Sequence, residues 1–389
     1  MSDKIGIFSF FAGAGFLDLG FEKTNRFETL FVNEYHKSFA NIYVAARKKL
    51  GIAPPQFGYQ VADITENLQN LNSFWLHDNI KEARKEHDLI GFIGGPPCPD
   101  FSVAGKNKGE NGENGKLTGT YIELICRNKP DFFLFENVKG LYRTTKHRAF
   151  FESIKIKLIN EGYYLTEKLI NAIEFGAPQD RERIILIGFQ RKVLGDLGFA
   201  LNGSPIIRNF NWDKNTLFKA NKVLNLKWPG LEKFTKDSVK PCPTNIPIEL
   251  TVEHWFQKND VENHLNSNHY FTPRAGLEKF KIIDEGDDLK KSYKRLHRWR
   301  YSPTAAYGNN EVHLHPYKER RISAAEALAI QSLPKEFEIP IEATLTDMFK
   351  SIGNGVPFLA AKGLANNIIN FIYDNEIKDL KLSHAEAYS

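Results

Sequence analysis

The chain has 389 residues, 42% hydrophobic and 25% charged, with 52 lysines and arginines against 47 acids for a formal net charge of +5. That size buries a large core and predicts two or three domains, no apolar run approaches the roughly 20 residues of a membrane span, and the start Met1-Ser2-Asp3-Lys4 lacks a signal-peptide pattern. The mild basic excess accommodates a polyanionic partner without requiring one, while three scattered cysteines (Cys98, Cys126, Cys242) argue against a disulfide framework or zinc cluster and for a reducing, cytoplasmic setting.

Ile5 to Phe10 is the first strand-like run, and it passes through Phe11-Ala12-Gly13-Ala14-Gly15 into a helical stretch. Glycines at such a junction let the backbone approach a ligand closely, or simply close a turn. Thr29 to Val32 is the second strand, and Glu34 just beyond it is placed to accept from ribose hydroxyls. A dinucleotide-binding enzyme would use both features. Asp18, however, stands where the third glycine of G-x-G-x-x-G belongs, and a carboxylate near that helix N-terminus opposes a pyrophosphate. S-adenosylmethionine offers ribose and adenine with no phosphate. A helix is predicted over His36 to Leu50, and Asp63-Ile64 after the next extended run supplies either an adenine contact or a helix cap.

Leu89 to Ile93 reads as a buried strand, stopped by Gly94-Gly95-Pro96-Pro97-Cys98-Pro99-Asp100-Phe101-Ser102. Cys98 is thereby held on a rigid turn at the carboxyl edge of a sheet, where open α/β folds bind ligands; an inert core thiol is the competing reading. A free thiol of pKa about 8.5 is a few per cent thiolate at neutral pH, and that fraction is strongly nucleophilic. Val103 to Lys116, with glycines for hinges and lysines for phosphates, suits a loop closing over a polyanion, or an ordinary solvated loop. After a helix over Thr118 to Asn128, the strand Asp131 to Phe135 delivers Glu136-Asn137-Val138 to the same edge. An acid beside a thiol suits a substrate that is protonated during attack. A helix over Ala149 to Glu161 follows. Gly176-Ala177-Pro178-Gln179-Asp180-Arg181-Glu182-Arg183 then leads into a strand, Arg183 to Phe189, and alternation sets Gln179, Arg181 and Arg183 on one side. They offer planar donors to a carbonyl oxygen or phosphate, or a face of surface ion pairs.

This rhythm is βαβ architecture, an α/β, doubly wound and mostly parallel sheet. From 191 to about 300 it breaks into a stretch rich in Asn, Lys, Trp and Pro, the mark of a second, irregular domain. Order returns at Arg321, where Ser323-Ala324-Ala325-Glu326 opens a helix as a capping box, and Val356 to Ile372 reads as another. The expected division is 1–190, 191–300 and 301–389, with the last segment rejoining the first.

In this order the motifs resemble the DNA cytosine-5 methyltransferases. The resemblance runs from Phe11-Ala12-Gly13-Ala14-Gly15 through the Cys98 segment, Glu136-Asn137-Val138 and Gln179-Asp180-Arg181-Glu182-Arg183. It continues through Ser302-Pro303-Thr304-Ala305-Ala306 and Arg321 to Gln331, and ends at Gly353-Asn354-Gly355-Val356. It implies a Rossmann-like S-adenosylmethionine-dependent catalytic domain with a smaller target-recognition domain. Cys98 would add to carbon 6 of cytosine, Glu136 would bind ring nitrogen 3 and the exocyclic amine, Arg183 the carbonyl oxygen, and Arg181 would orient the surroundings of the cysteine. Phe11, Gly13 and Gly15 would line the methionine part of the cofactor, Glu34 the ribose, Tyr35, Asp63 and Ile64 the adenine, with Pro97 between cofactor and base and Asn354 and Val356 closing the pocket. S-adenosylhomocysteine would leave as product, and no metal is required. Pro99-Asp100 departs from the family's pattern of Gln and a small residue, which puts the fine contacts of the catalytic loop in question.

The implied partner is double-stranded DNA, with the target cytosine flipped out of the helix. Segment 191–300 would read sequence in the major groove, with the basic tail Lys290 to Arg300 on the phosphate backbone. Trp212, Trp228, Trp255 and Trp299 lie in this segment or at its end, and most of them are expected in the small-domain core. A monomer is expected, serving a restriction-modification system whose endonuclease is encoded alongside without a stable complex. A tRNA-directed relative would share the catalytic motifs, and a catalytically silent DNA-binding or cofactor-sensing protein could keep the fold.

Overall fold

The computed structural model describes residues 4–97, 113–199, 201, 203–273, 277–289, 292–305, 307 and 311–373. Cys98, Pro99 and Asp100, the 103–112 part of the glycine-rich loop, Lys290, Lys291 and Ala306 lie outside the described residues. The catalytic half is built from β1 (Ile5–Phe10), α1 (Phe16–Glu22), β2 (Phe27–Asn33), α2 (Lys37–Lys49), β3 (Tyr59–Gln60), α3 (Asn70–Ala83), β4 (Ile90–Gly94), α4 (Glu113–Asn128), β5 (Phe132–Val138), α5 (Thr145–Asn160), β6 (Tyr163–Asn171) and β7 (Glu182–Gln190). The strands form one sheet of order β3-β2-β1-β4-β5-β7-β6. All pairings are parallel except those of β7, which runs against both β5 and β6.

Each face of the sheet has its own core, which makes the fold doubly wound. On one face Ile7, Phe132 and Ile185 pack with Phe21 of α1 and Leu364, Ile368 and Phe371 of a late helix. On the other, Phe8, Phe92 and Phe133 meet Ile80 of α3, Ile122 of α4 and Phe151 of α5. Strands buried on both faces read as near-continuous apolar runs, which is why β1, β4 and β5 were visible in the sequence. β6 was not. It is an edge strand, its polar Thr166, Glu167 and Lys168 break the apolar run, and four of its nine residues are only partly buried.

Beyond β7 the regular elements are short: α6 (Arg191–Asp196), α7 (Ala220–Leu224), α8 (Val252–Lys258) and α9 (Lys279–Ile282). Ile207 and Phe210 pack into the sheet core, and Trp212 donates from Nε1 to Thr166 Oγ1 at 3.0 Å. Trp255 and Phe256 of α8 join a third core with Phe16 of α1, Ile42 of α2 and the C-terminal helices α10 (Ala324–Ile330) and α11 (Leu345–Asn354). Ser323 caps α10 with the reciprocal Glu326 contact of a capping box. The last helix, α12 (Phe358–Tyr373), crosses α1 so closely that a Cβ on Gly20 would lie 2.4 Å from the Cβ of Ala361. No helix among the described residues is long and apolar enough to cross a membrane.

Candidate active site

The carboxyl ends of β1, β2, β4 and β5 share one sheet edge, since Phe10 pairs with both Asn33 and Gly94, and Gly94 with Phe135. Strand order reverses between β1 and β4, so a crevice opens there, with Phe11–Gly15 on one wall and Gly95–Pro97 on the other.

The first wall is a turn of left-handed residues: Phe11 (φ 55°), Gly13 (φ 58°) and Gly15 (φ 79°). Glu34 braces it from the end of β2, its carboxylate accepting from the Gly13 amide and the His36 amide, each at 2.7 Å. Burial raises the pKa of Glu34 above the usual carboxylate value, and these two amides oppose the rise. A Cβ at Gly13 would meet nothing within 4 Å, so that glycine borders open space. At Gly15 a Cβ would lie 2.3 Å from Arg47 Nη1 and 2.4 Å from Tyr43 Cε2.

Arg47 and Tyr43, one helical turn apart on α2, form a floor under the turn that the sequence did not reveal. The Arg47 guanidinium donates to the carbonyls of Gly15 (2.7 Å) and Ala14 (3.4 Å) and pairs with Glu22 at 3.3 Å. Asp18, in the first turn of α1, belongs to the same floor. It is fully buried and accepts from Ser9 Oγ and the Tyr43 hydroxyl, each at 2.8 Å. Burial pushes its pKa up to about 6.

The other expected cofactor residues fall around this crevice to differing degrees. Tyr35 follows Glu34 and is 71% exposed. Asp63 caps a short 3-10 helix (Ile64–Leu68) through Thr65, while Ile64 is buried beneath it. Asn354 ends α11 exposed, Val356 is buried, and between them Gly355 is pressed on Phe16, at the head of α1, where a Cβ would come within 2.2 Å of the ring.

The second wall carries Glu136. Glu136 pairs in register with Ile185, so Arg183, two residues earlier on β7, is its diagonal neighbour on the same face. Arg183 Nε contacts Glu136 Oε1 at 2.9 Å. The other oxygen, Oε2, lies against Gly95, where a Cβ would approach to 2.7 Å. Asn137 Nδ2 reaches the Pro96 carbonyl at 3.5 Å, tying β5 to the segment that leads to Cys98.

Arg181, close to this pair, hydrogen-bonds elsewhere. It is 2% exposed and donates to the carbonyls of Ala305 (3.1 Å) and Gly353 (2.9 Å). Burial, with the Arg183 charge beside it, drives its pKa well below the usual arginine value. Gln179 continues the joint by accepting from the Ala305 amide at 3.0 Å and donating to Gln331 at 3.3 Å. Alternation before β7 therefore points two of its three polar residues into the join with the C-terminal segment, where only partners distant in sequence could reveal their use.

The basic tail also differs from expectation. Arg295 and Arg298 are buried: Arg295 donates to backbone carbonyls including Ile283 (2.8 Å), and Arg298 pairs with buried Glu285 at 2.8 Å. A guanidinium satisfied by internal carbonyls and a carboxylate is scaffold and does not offer itself to phosphate.

An open, doubly wound sheet with one antiparallel strand and a ligand crevice at its switch point is the Rossmann-like methyltransferase architecture. Solved structures agree: a prophage-encoded E. coli protein described as a candidate DNA modification methyltransferase superposes with TM-score 0.62 at 21% identity, covering 94% of this chain and 99% of that one. The Entamoeba histolytica methyltransferase EhMeth gives 0.58 at 14%, covering 96% and 100%. The profile of the C-5 cytosine-specific DNA methylases matches residues 5–370, and the chain belongs to that family. It is similar to the Type II methyltransferase M.NmeDI of Neisseria meningitidis serogroup C, 57% identical over 369 residues, covering 95% of this chain and 84% of the relative. M.FnuDI of Fusobacterium nucleatum is 29% identical over 374 residues, covering 95% and 96%. The protein is a DNA cytosine-5 methyltransferase.

Proposed function

We propose that the enzyme methylates carbon 5 of a flipped-out cytosine within a specific duplex sequence, as the modification half of a Type II restriction-modification system. The observation that supports it best is the Glu136–Arg183 ion pair, set at the sheet edge against Gly95, which itself stands three residues before Cys98 in sequence. The Type II names of its relatives support the biological setting, and a separately encoded endonuclease acting on the same sequence goes with it.

Phe11, Gly13 and Glu34 fit S-adenosylmethionine. Gly13 leaves room beside the turn, and each Glu34 oxygen, holding one backbone amide, keeps a lone pair for a ribose hydroxyl. Tyr35, exposed beside Glu34, is free to lie on adenine over Ile64, while Gly15 acts from below through Arg47. Val356 closes the far side with Asn354, and Pro97 separates cofactor from base. S-adenosylmethionine supplies the electrophilic methyl group, leaving as S-adenosylhomocysteine.

The chain's own residues make cytosine reactive. The Cys98 thiolate forms a bond to carbon 6, and the displaced ring electrons move toward nitrogen 3 and carbon 5. Glu136 holds a proton at nitrogen 3 and binds the exocyclic amine, so the addition does not leave an uncompensated negative ring. Arg183 fixes that carboxylate and faces the ring's carbonyl oxygen. Carbon 5, now enamine-like, takes the methyl group. Loss of its proton to a base re-forms the carbon 5–carbon 6 double bond and expels the Cys98 thiolate, while the nitrogen 3 proton returns to Glu136. Arg181 acts at one remove by holding the 305 and 353 backbones against the strand that carries Arg183. Segment 191–300 reads the duplex.

Parallel methyl-transfer assays on duplex DNA and on tRNA test this reading, with bisulfite sequencing of DNA from an expressing host to define the motif. Wild type is expected to label duplex DNA at one recurrent motif, and Cys98→Ala to lose transfer while keeping DNA and cofactor binding. Labelling of tRNA alone, or an unaltered rate in Cys98→Ala, overturns it.

A further inference from the structure

The buried tail Arg295–Arg298 supports something other than itself. Arg298 donates through Nη1 to the Ser238 carbonyl and through Nη2 to Ser238 Oγ (2.8 Å), while its carboxylate partner Glu285 holds Lys240 at 2.8 Å. Lys240 also contacts Glu232, and the amide of Asp237, itself left-handed at φ 51°, donates to the Tyr317 carbonyl at 2.8 Å. The residues on both sides of Val239 are thus fastened to one buried charge cluster, and Val239 itself is 95% exposed.

Single exposed valines are common and need no explanation. This one sits on a tip whose flanks are fixed by a buried arginine, which is a costly way to present a side chain to water alone. Lys222, Lys227, Lys233 and Lys236 precede it in the same segment and are exposed, as is the acid Asp237 two residues before it. The irregular segment that carries Arg298 continues to Ser302, four residues on, which bridges to Gln179 just before β7, the strand that carries Arg183.

We propose that Ser238-Val239-Lys240 is a DNA-reading tip, with Val239 the specificity-determining side chain and the neighbouring lysines on phosphate. This rests on the duplex-DNA reading above. Valine has no donor or acceptor, so the feature it can distinguish on the major-groove floor is the thymine 5-methyl group against the bare carbon 5 of cytosine. A rigid tip suits that task, because ordering a loop on binding would weaken the small apolar preference.

The test uses the full chain on a library of duplexes randomised around the methylated motif, read by bisulfite sequencing, with steady-state kinetics on the preferred duplex. Val239→Asp, at a site too exposed to disturb folding, is expected to raise the KM for DNA at least about tenfold while leaving kcat and cofactor affinity within about twofold. Val239→Ser is expected to widen the motif at a single pyrimidine position. Ile156→Asp, 59% exposed on α5, adds the same charge and is expected to change neither. A wild-type DNA KM in Val239→Asp, or an unchanged motif in Val239→Ser, overturns the proposal while leaving the methyltransferase reading intact. A wild-type enzyme that methylates no duplex DNA overturns both.

Discussion

Gly95→Ala separates the position of the Glu136 carboxylate from the stability of the fold. Gly95 does not have a left-handed backbone, so alanine meets no conformational penalty there. Its methyl group would lie 2.7 Å from Glu136 Oε2, where ordinary contact begins at 3.4 Å. The carboxylate must therefore withdraw by about 0.7 Å, and its other oxygen is held by Arg183 Nε at 2.9 Å, so the same movement stretches or reorients that bond. Loss of one charge-assisted hydrogen bond is worth about 1.5–3 kcal/mol, and a misplacement approaching 1 Å costs roughly 100-fold in rate. The atom that yields is the end of a flexible side chain, so the fold bears little of this. The expected result is a single-turnover rate of methyl transfer reduced about 10- to 100-fold, with the melting temperature shifted by no more than about 2 °C and cofactor binding intact. The assay is transfer of labelled methyl to a saturating duplex, alongside a thermal melt. A rate within about threefold of wild type and an unchanged melt would refute the view that Gly95 sets the carboxylate's position for catalysis.

Two further predictions concern the floor beneath the glycine turn. Arg47→Lys keeps a charge for Glu22 but loses the fork that holds the Ala14 and Gly15 carbonyls, and S-adenosylmethionine affinity by calorimetry is expected to fall about tenfold with DNA KM unaltered; unchanged affinity would show the turn to be rigid without it. Asp18 carries a pH signature: its carboxyl rises from 3.8 to about 6 on folding, so the native state keeps a proton that the unfolded chain releases between those values. Its contribution to stability is therefore greatest below pH 4, is lost as pH rises through 6, and is flat above, a span of roughly 3 kcal/mol. Asp18→Asn lacks the titration, so denaturant unfolding of both proteins from pH 4 to 7 should show their difference changing across this window, and a constant difference would contradict the burial of a titrating acid.

What could be read from the chain, and what could not, follows from the range of the interactions. Strand ends were legible because Gly-Gly and Pro-Pro stop β4 and an acid follows β2, all local signals. The capping box at Ser323 was legible for the same reason. The contact of Gly95 with Glu136 spans 41 residues, and the hydrogen bond of Arg181 to Gly353 spans 172, so neither leaves a periodic trace. Arg295 and Arg298, expected on phosphate with the rest of their basic run, show the limit most clearly. A run of Lys and Arg looks the same whether it faces phosphate or a buried Glu285, and only the partner's position decides between them.

One inference about the sheet was nevertheless available from motif placement alone. Residues at a carboxyl edge come from the ends of parallel strands: Phe11, Glu34 and Gly95 stand just past a strand's end, and Glu136 two residues before one. The Gln179-to-Arg183 motif instead stands before its strand. If all five motifs serve one site, the strand after Arg183 must start where the others finish, which requires it to run antiparallel to them. β7 does so, and its reversal is what sets Arg183 diagonal to Glu136. The antiparallel strand is thus how an arginine at a strand's beginning reaches an edge otherwise furnished by strand ends.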